Sequence, residues 1–249
     1  MNPIVWRVEH FEQIDSTNTW LVERAKDGAL EGTVVYADFQ THGRGRLERT
    51  WTAAPDTSLL CSVLLRPEIG PADLQLAVAC VALSARAALV RLCGVRPALK
   101  WPNDLIVGDS KIAGILAEYV AGPEPGVVVG IGVNLLPVGA HDVRSTNVLQ
   151  EAGVRVAARA LLDIVLEELE RRGAALATPT GREELREEYR GALATIGQRV
   201  RVEHHGGESR GLATGVDASG RLILEVDGKS VVFSSGDVVH LRLDEQVGL

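Results

Sequence analysis

The spacing of apolar residues changes along the chain, and each change marks an element. Residues 4–13 read as a first strand, Thr33–Phe39 is β-rich, and Ser58–Leu65 is a nearly unbroken apolar run expected to form a buried strand. Asp15-Ser16-Thr17-Asn18 offers helix N-caps; Thr19–Lys26 has helical character and Gly28 stops it. Ala72–Leu92, between Pro71 and Gly94, is apolar on most faces and predicts a long helix covered on most sides. Ala98–Trp101, Leu105–Val107, Lys111–Tyr119 and Val127–Val133 read as closely spaced strands with short turns, which means an antiparallel or mixed sheet. Val156–Arg172 and Arg182–Leu193 follow as charged amphipathic helices, their acidic stretches at 163–172 and 182–190 read as solvated faces.

The period changes near Thr195. From Gln198 to Leu243 apolar and polar residues alternate, with Leu241 and Leu243 the last apolar positions, and Gly-Gly, Ala-Ser-Gly and Asp-Gly-Lys turns interrupt the pattern. About five short strands in this stretch predict a small β-barrel. The expected organisation is α+β: residues 1–196 form a mixed sheet with helices packed on one face, and residues 197–249 form the barrel. His204 and His205 fall in an alternating segment, so their rings should face opposite sides, which argues against a metal site there.

Composition narrows the function. The chain has 46% apolar and 24% charged residues, as an ordinary soluble protein does. A net charge of -7 argues against bulk nucleic-acid binding. No apolar run approaches the ~18 residues of a membrane span, and the N-terminus lacks signal-peptide character. No Cys-x-x-Cys occurs, and Cys61, Cys80 and Cys93 lie in apolar surroundings, which reads as buried reduced thiols of a cytoplasmic protein.

Against this acidic background stands Gln-Thr-His-Gly-Arg-Gly-Arg-Leu-Glu-Arg-Thr-Trp at 40–51. Gly43 and Gly45 permit sharp turns and close approach, while Arg44, Arg46 and Arg49 bring forked donors suited to phosphate and carboxylate. Lys100-Trp101-Pro102-Asn103-Asp104 joins two strands; Pro-Asn-Asp is good turn chemistry, and an ionised Asp104 beside phosphates would suit Mg²⁺. Lys111 opens an apolar strand as a point charge for a carboxylate or phosphate, and Gly114 within that strand marks a close backbone approach by a ligand. Val129-Gly130-Ile131-Gly132-Val133-Asn134 lacks the third glycine and following helix of a dinucleotide site, so its small residues read as the floor of a flat slot with the Asn134 amide at the rim.

These motifs, in this order, resemble the biotin–protein ligases (biotin–acetyl-CoA-carboxylase ligases) over roughly residues 10–245: Asp-Ser-Thr-Asn at 15–18, Gly-Arg-Gly-Arg at 43–46, Lys-Trp-Pro-Asn-Asp at 100–104, Lys-Ile-Ala-Gly-Ile-Leu at 111–116 and Gly-Ile-Gly-Val-Asn at 130–134. The resemblance implies a class II synthetase-like biotin/lipoate ligase catalytic domain and an SH3-like C-terminal barrel. It implies biotin and ATP as substrates with Mg²⁺, biotinyl-5′-AMP as intermediate, and a lysine of a biotin carboxyl carrier domain of acetyl-CoA carboxylase or a related carboxylase as acceptor. It places Ser16, Thr17, Asn18 and Gln40 at biotin's ureido ring or pocket wall, with Gly114 and Gly130 bordering the slot. It places Gly43 and Arg44 over biotin and the acyl phosphate, and Lys111 at the reacting carboxylate. Arg46 and Arg49 fall at the ATP phosphates, Arg46 with a catalytic role alongside Arg44 and Lys111. Trp51 and Asn134 fall at adenine, and Asn103 and Asp104 at the nucleotide and Mg²⁺ end.

Leu47-Glu48 departs from the family loop, which commonly has a basic or polar residue and a second glycine, so loop closure is expected to be altered. Because the match begins near residue 10, no repressor activity is expected. Lipoate or octanoate ligases and transferases share the core fold and are the alternative. An RNA-binding module and an inactive biotin sensor are weaker readings. Monomer and homodimer both stay open.

Overall fold

The computed structural model describes residues 4–67, 69–137, 144–204 and 206–240. Within them β1 (Arg7–Ile14), α1 (Thr17–Lys26), β2 (Thr33–Gln40) and β3 (Ser58–Leu65) come first, followed by the long α2 (Leu74–Cys93). Four strands follow: β4 (Ala98–Lys100), β5 (Asp104–Val107), β6 (Ser110–Val120) and β7 (Gly126–Asn134). Three helices complete the first layer pair: α3 (Val148–Ala152), α4 (Ala158–Leu176) and α5 (Pro179–Ala192).

The strands form one seven-stranded sheet in the order β1-β2-β3-β7-β6-β5-β4. Only β1–β2 is parallel; every other neighbouring pair is antiparallel. The central strands β3 and β7 are buried at every position, which is why they read as continuous apolar runs rather than as alternation. Helices α2, α4 and α5 pack together over one face, with Leu59, Cys61, Val63 and Leu65 of β3 beneath them. The expected mixed sheet with helices on one face holds for these long helices. Helix α1 is the exception, since Leu21 and Ala25 pack on the opposite face against Val35, Leu64, Val120 and Val128. The site lies beside α1 on that second, less covered face.

Local sequence explains the ends. Ser16 is extended (φ -155°) and its hydroxyl accepts from the Thr19 amide, so the helix starts at Thr17, earlier than its apolar pattern suggests. Gly94 closes α2 at φ 75°, where only glycine is unstrained. Two expectations need correction here. Leu74–Cys93 is in fact long and apolar enough by length and composition to cross a membrane, but 67% of that stretch is buried within this fold, and it is a core helix. The acidic helices are also not merely solvated faces: buried Arg172 of α4 takes Glu168 at 2.7 Å and Glu188 of α5 at 2.6 Å, which ties the two helices together.

The second sheet comprises β8 (Arg199–His204), β9 (Gly207–Val216), β10 (Leu222–Val226), β11 (Lys229–Phe233) and β12 (Asp237–His240), all antiparallel in the order β11-β10-β9-β8-β12. Val200, Val202, Ala213, Leu222, Leu224 and Val238 point inward from the alternating pattern. His205, Leu241 and Leu243 lie outside the described residues. This sheet docks through its β9–β10 turn. The indole Nε1 of Trp101 donates to the Gly220 carbonyl at 3.1 Å, Ser219 donates to Asp73 at 2.7 Å, and Arg186 donates to the Ala218 carbonyl at 3.0 Å. All three cysteines are free. Cys61 and Cys80 are buried, and burial alone pushes the Cys61 thiol up to about 12. Cys93 is only partly buried, unlike its expected state.

Candidate active site

A cavity of about 480 Å³ opens on the α1 side of the large sheet and reaches the second sheet. Every residue assigned to the site from the sequence lines it except Gly43, which lies directly behind: a Cβ there would meet the Gln40 amide and the Trp51 carbonyl.

One end is polar and neutral. The N-terminus of α1 presents Ser16, Thr17 and Asn18, all buried. Gln40 Oε1, at the end of β2, accepts from the Thr17 amide (2.7 Å) and hydroxyl (3.0 Å). The Ser62 hydroxyl, from the fully buried β3, reaches Asn18 Oδ1 at 2.7 Å and Thr17 Oγ1 at 2.9 Å. Gly130 lies under this group, and any side chain there would overlap Asn18.

The floor is glycine. Gly114 of β6 pairs directly with Gly132 of β7, and the Trp51 indole lies in the depression they leave. A Cβ on either would collide with that ring. The close approach expected at Gly114 is therefore made by the protein's own Trp51 and Lys111. Trp51 Nε1 is buried with no acceptor among the described residues. Lys111 Nζ stands 5.5 Å from the Trp51 ring centroid, a cation–π distance.

The other end is charged. Lys111 Nζ lies 2.7 Å from Asp104 Oδ1, an ion pair of two partly buried groups. Arg46 donates to Asn103 Oδ1 at 3.1 Å and to the Gly236 carbonyl at 3.2 Å. Asp237 sits 3.9 Å from Arg46 and pairs closely with Arg49. Burial pushes the Arg46 guanidinium below its ordinary value, opposed by Asp237 and then Asp104; arginine stays protonated regardless. The remaining amides brace the walls: Asn103 donates to the Ile115 carbonyl, and buried Asn134 donates to that of Thr146.

The arginine loop is a miniature hairpin. Arg44 bridges Thr50, the Gly45 amide donates to Arg49, and the Trp51 amide donates to Gly43. The tip is a turn closed by the Arg49 amide on the Arg46 carbonyl, with Leu47 at φ 52° and Glu48 at φ 61°. Two positive φ values in succession suit Asn-Gly, not Leu-Glu. Each side chain held there costs about 1–2 kcal/mol. Leu47→Asn combined with Glu48→Gly should therefore steady the hairpin. We expect hydrogen exchange at the Gly45 and Trp51 amides to slow about tenfold; unchanged exchange would mean that the tip does not limit the loop.

Four participants escaped the sequence reading. Gly132 was seen only as a small floor residue. Ser62 hides in an apolar run. Glu118 is a charge in an apolar strand, and its place two and four residues beyond Leu116 and Gly114 on one face was a usable signal. Asp237 comes from the second sheet, which no local pattern connects to the loop.

Residues 10–134 match the model of the biotin/lipoate A/B protein ligase family, and residues 195–241 match the biotin protein ligase C terminal domain. The chain belongs to the biotin/lipoate A/B protein ligase family. It is 37% identical to a biotin–acetyl-CoA-carboxylase ligase of Mycobacterium tuberculosis, covering 95% of this chain and 90% of the relative. A ligase of the same description from Paracoccus denitrificans is 35% identical, covering 90% and 96%. A biotin protein ligase from Aquifex aeolicus, solved in complex with biotin and ATP, superposes with a TM-score of 0.81 at 26% identity, covering 95% of this chain and 99% of that one. Within the family, these relatives place the chain on the biotin side rather than with the lipoate or octanoate enzymes. Among the described residues no cluster of three His, Cys, Asp or Glu could hold a metal by itself.

Proposed function

We propose that this family member joins biotin to ATP in the cavity and then passes the biotin to a lysine of a biotin carboxyl carrier domain. One observation carries the reading: a slot with a neutral, hydrogen-bonding end at α1 and a charged end that gathers Arg46, Arg49 and Lys111, in a chain of net charge -7. The neutral end suits a ureido ring, which offers one carbonyl and two N–H groups. Gly130, which leaves no side chain beneath Asn18, keeps that end open to a flat bicycle.

In the first step a biotin carboxylate oxygen attacks the α-phosphorus of ATP. The bond to the bridging oxygen breaks and pyrophosphate leaves, giving biotinyl-5′-AMP. Two anions meet here, so fixed cations lower the barrier where charge builds up. Lys111 would take that task, and Arg46 and Arg49 would face the phosphates. In the second step a carrier lysine amine attacks the acyl carbonyl, AMP departs, and the amine loses its proton. Holding the partners in line supplies much of the remainder. The arginine hairpin and Trp51 cover the anhydride and exclude water.

Mg²⁺ fits this end. It keeps most of its waters and is commonly bound by one or two carboxylates plus substrate phosphates. Asp104, a carboxylate lining the charged end of the cavity, would hold it. The ion would supply neutralising charge to the triphosphate. Free thiols at Cys61, Cys80 and Cys93 support a reducing, cytoplasmic setting.

The test is incubation of the purified chain with biotin, Mg·ATP and a carrier domain, read by intact mass, with lipoate and octanoate in parallel. One biotin adduct on the carrier, and none with the other acids, is the expected result. Biotin-dependent pyrophosphate release without carrier should accompany it. If that release fails too, the reading is wrong.

A further inference from the structure

The two groups that face the neutral end from opposite sides, the loop arginine and the helix-terminal amide, meet on one carboxylate. Glu118 lies on β6, on the face that carries Gly114. Its Oε2 accepts from Arg44 Nη1 at 2.8 Å, and its Oε1 from Arg44 Nη2 at 2.9 Å. The same Oε2 accepts from Asn18 Nδ2 at 2.7 Å. Asn18 Oδ1 in turn meets Ser62, and Ser62 reaches Thr17, whose hydroxyl donates to Gln40. A continuous chain of polar contacts thus runs Arg44–Glu118–Asn18–Ser62–Thr17–Gln40, anchored on three strands and one helix of the rigid sheet.

We propose that Glu118 is a positioning residue that fixes Arg44 over the biotin end of the cavity and, through Asn18, sets the donors and acceptors facing the ring. The proposal rests on the ligase reading above. Three features separate this carboxylate from an ordinary surface charge. It stands in an apolar strand, where a solvated glutamate has no reason to be. Its side chain is only 26% exposed although its partner Arg44 is 44% exposed, so the fixed member is the one on the sheet. It also has two partners on different elements, which a surface ion pair does not need. A fork held end-on uses two of the five guanidinium N–H donors, and the other three stay available to a ligand. Without Glu118, Arg44 would hang on a two-stranded hairpin with a strained tip, and each binding event would have to order it anew.

The experiment is a double-mutant cycle with Glu118→Gln and Arg44→Ala, each alone and together, measured as biotin-dependent pyrophosphate release. Glutamine keeps one acceptor for Asn18 and loses the charged fork. We expect Glu118→Gln to raise the KM for biotin about tenfold with kcat changed less than about threefold. In the Arg44→Ala background the same substitution should add less than about twofold. An equal loss in both backgrounds would make Glu118 a structural residue and overturn the proposal. A lowered KM would make it a competitor for Arg44 and overturn it as well. Trypsin cleavage after Arg46 and Arg49 gives a readout free of substrate; the proposal expects faster cleavage in Glu118→Gln. A wild type silent towards biotin would remove the ligase reading and the role of Glu118 in binding together. Unchanged cleavage in an active Glu118→Gln would instead remove the tether alone.

Discussion

Lys111→Ala should lower biotin-dependent pyrophosphate release by about 10²–10³-fold, the usual loss when one preorganised charge is removed from a site of developing negative charge. The reason is its placement. Lys111 opens β6 beside the β5–β6 irregularity, and its backbone is pinned on the far side by the Arg144 carbonyl and the Thr146 amide. Its ammonium is held between Asp104 and the Trp51 ring, above Gly114. On the proposed reading, carboxylate and α-phosphate meet at that ammonium. Stability should hardly change, because a partly exposed ion pair contributes at most about 1 kcal/mol. Lys111→Arg should recover only part of the rate, since a planar fork does not replace a compact point charge. Pyrophosphate release within threefold of wild type for Lys111→Ala would put the reacting centre elsewhere.

Trp101→Ala should destabilise the protein by about 3–5 kcal/mol, the cost of emptying a buried indole site. For a chain of this size that lowers the melting temperature by about 10 °C. Trp101 is 1% exposed and sits at the β4–β5 connection. Its backbone amide donates to Thr195 and its indole N–H to Gly220, so one residue clasps both the start of the second sheet and its β9–β10 turn. Truncation leaves a cavity and also a Gly220 carbonyl without its donor. Trp101→Phe should cost less, about 1–2 kcal/mol, because most of the volume is kept. A functional change should follow at a distance. A loosened second sheet withdraws Gly236 and Asp237 from Arg46 and Arg49, so the KM for ATP should rise more than that for biotin. Calorimetry that finds the melting point moved by less than 2 °C would mean the sheets are joined by other contacts.

Much of this was legible in the chain. Strand β3 was bounded to the residue because a central strand buried on both faces is an unbroken apolar run with polar ends. The site residues were legible because their chemistry is unusual for their surroundings: arginines between glycines in an acidic chain, a lysine opening an apolar strand, glycines within strands. The short helix α3 and the full length of β9 were not, since five residues make too little pattern and β9 is broken by glycines. The family membership expected from the motifs is the one the comparisons give.

By itself the sequence determined most of the strands and the long helices, the presence of a glycine-floored, arginine-rich site, and the family. Those are local properties, written in hydrophobic period, turn chemistry and motif spacing. Only the tertiary structure decided that Gly114 and Gly132 face each other to seat Trp51, that Asp237 from the second sheet holds the arginine loop, and that Glu118 joins Arg44 to Asn18. Each of these depends on strand register or domain docking, in which residues tens to nearly two hundred positions apart come into contact, and no local pattern encodes that.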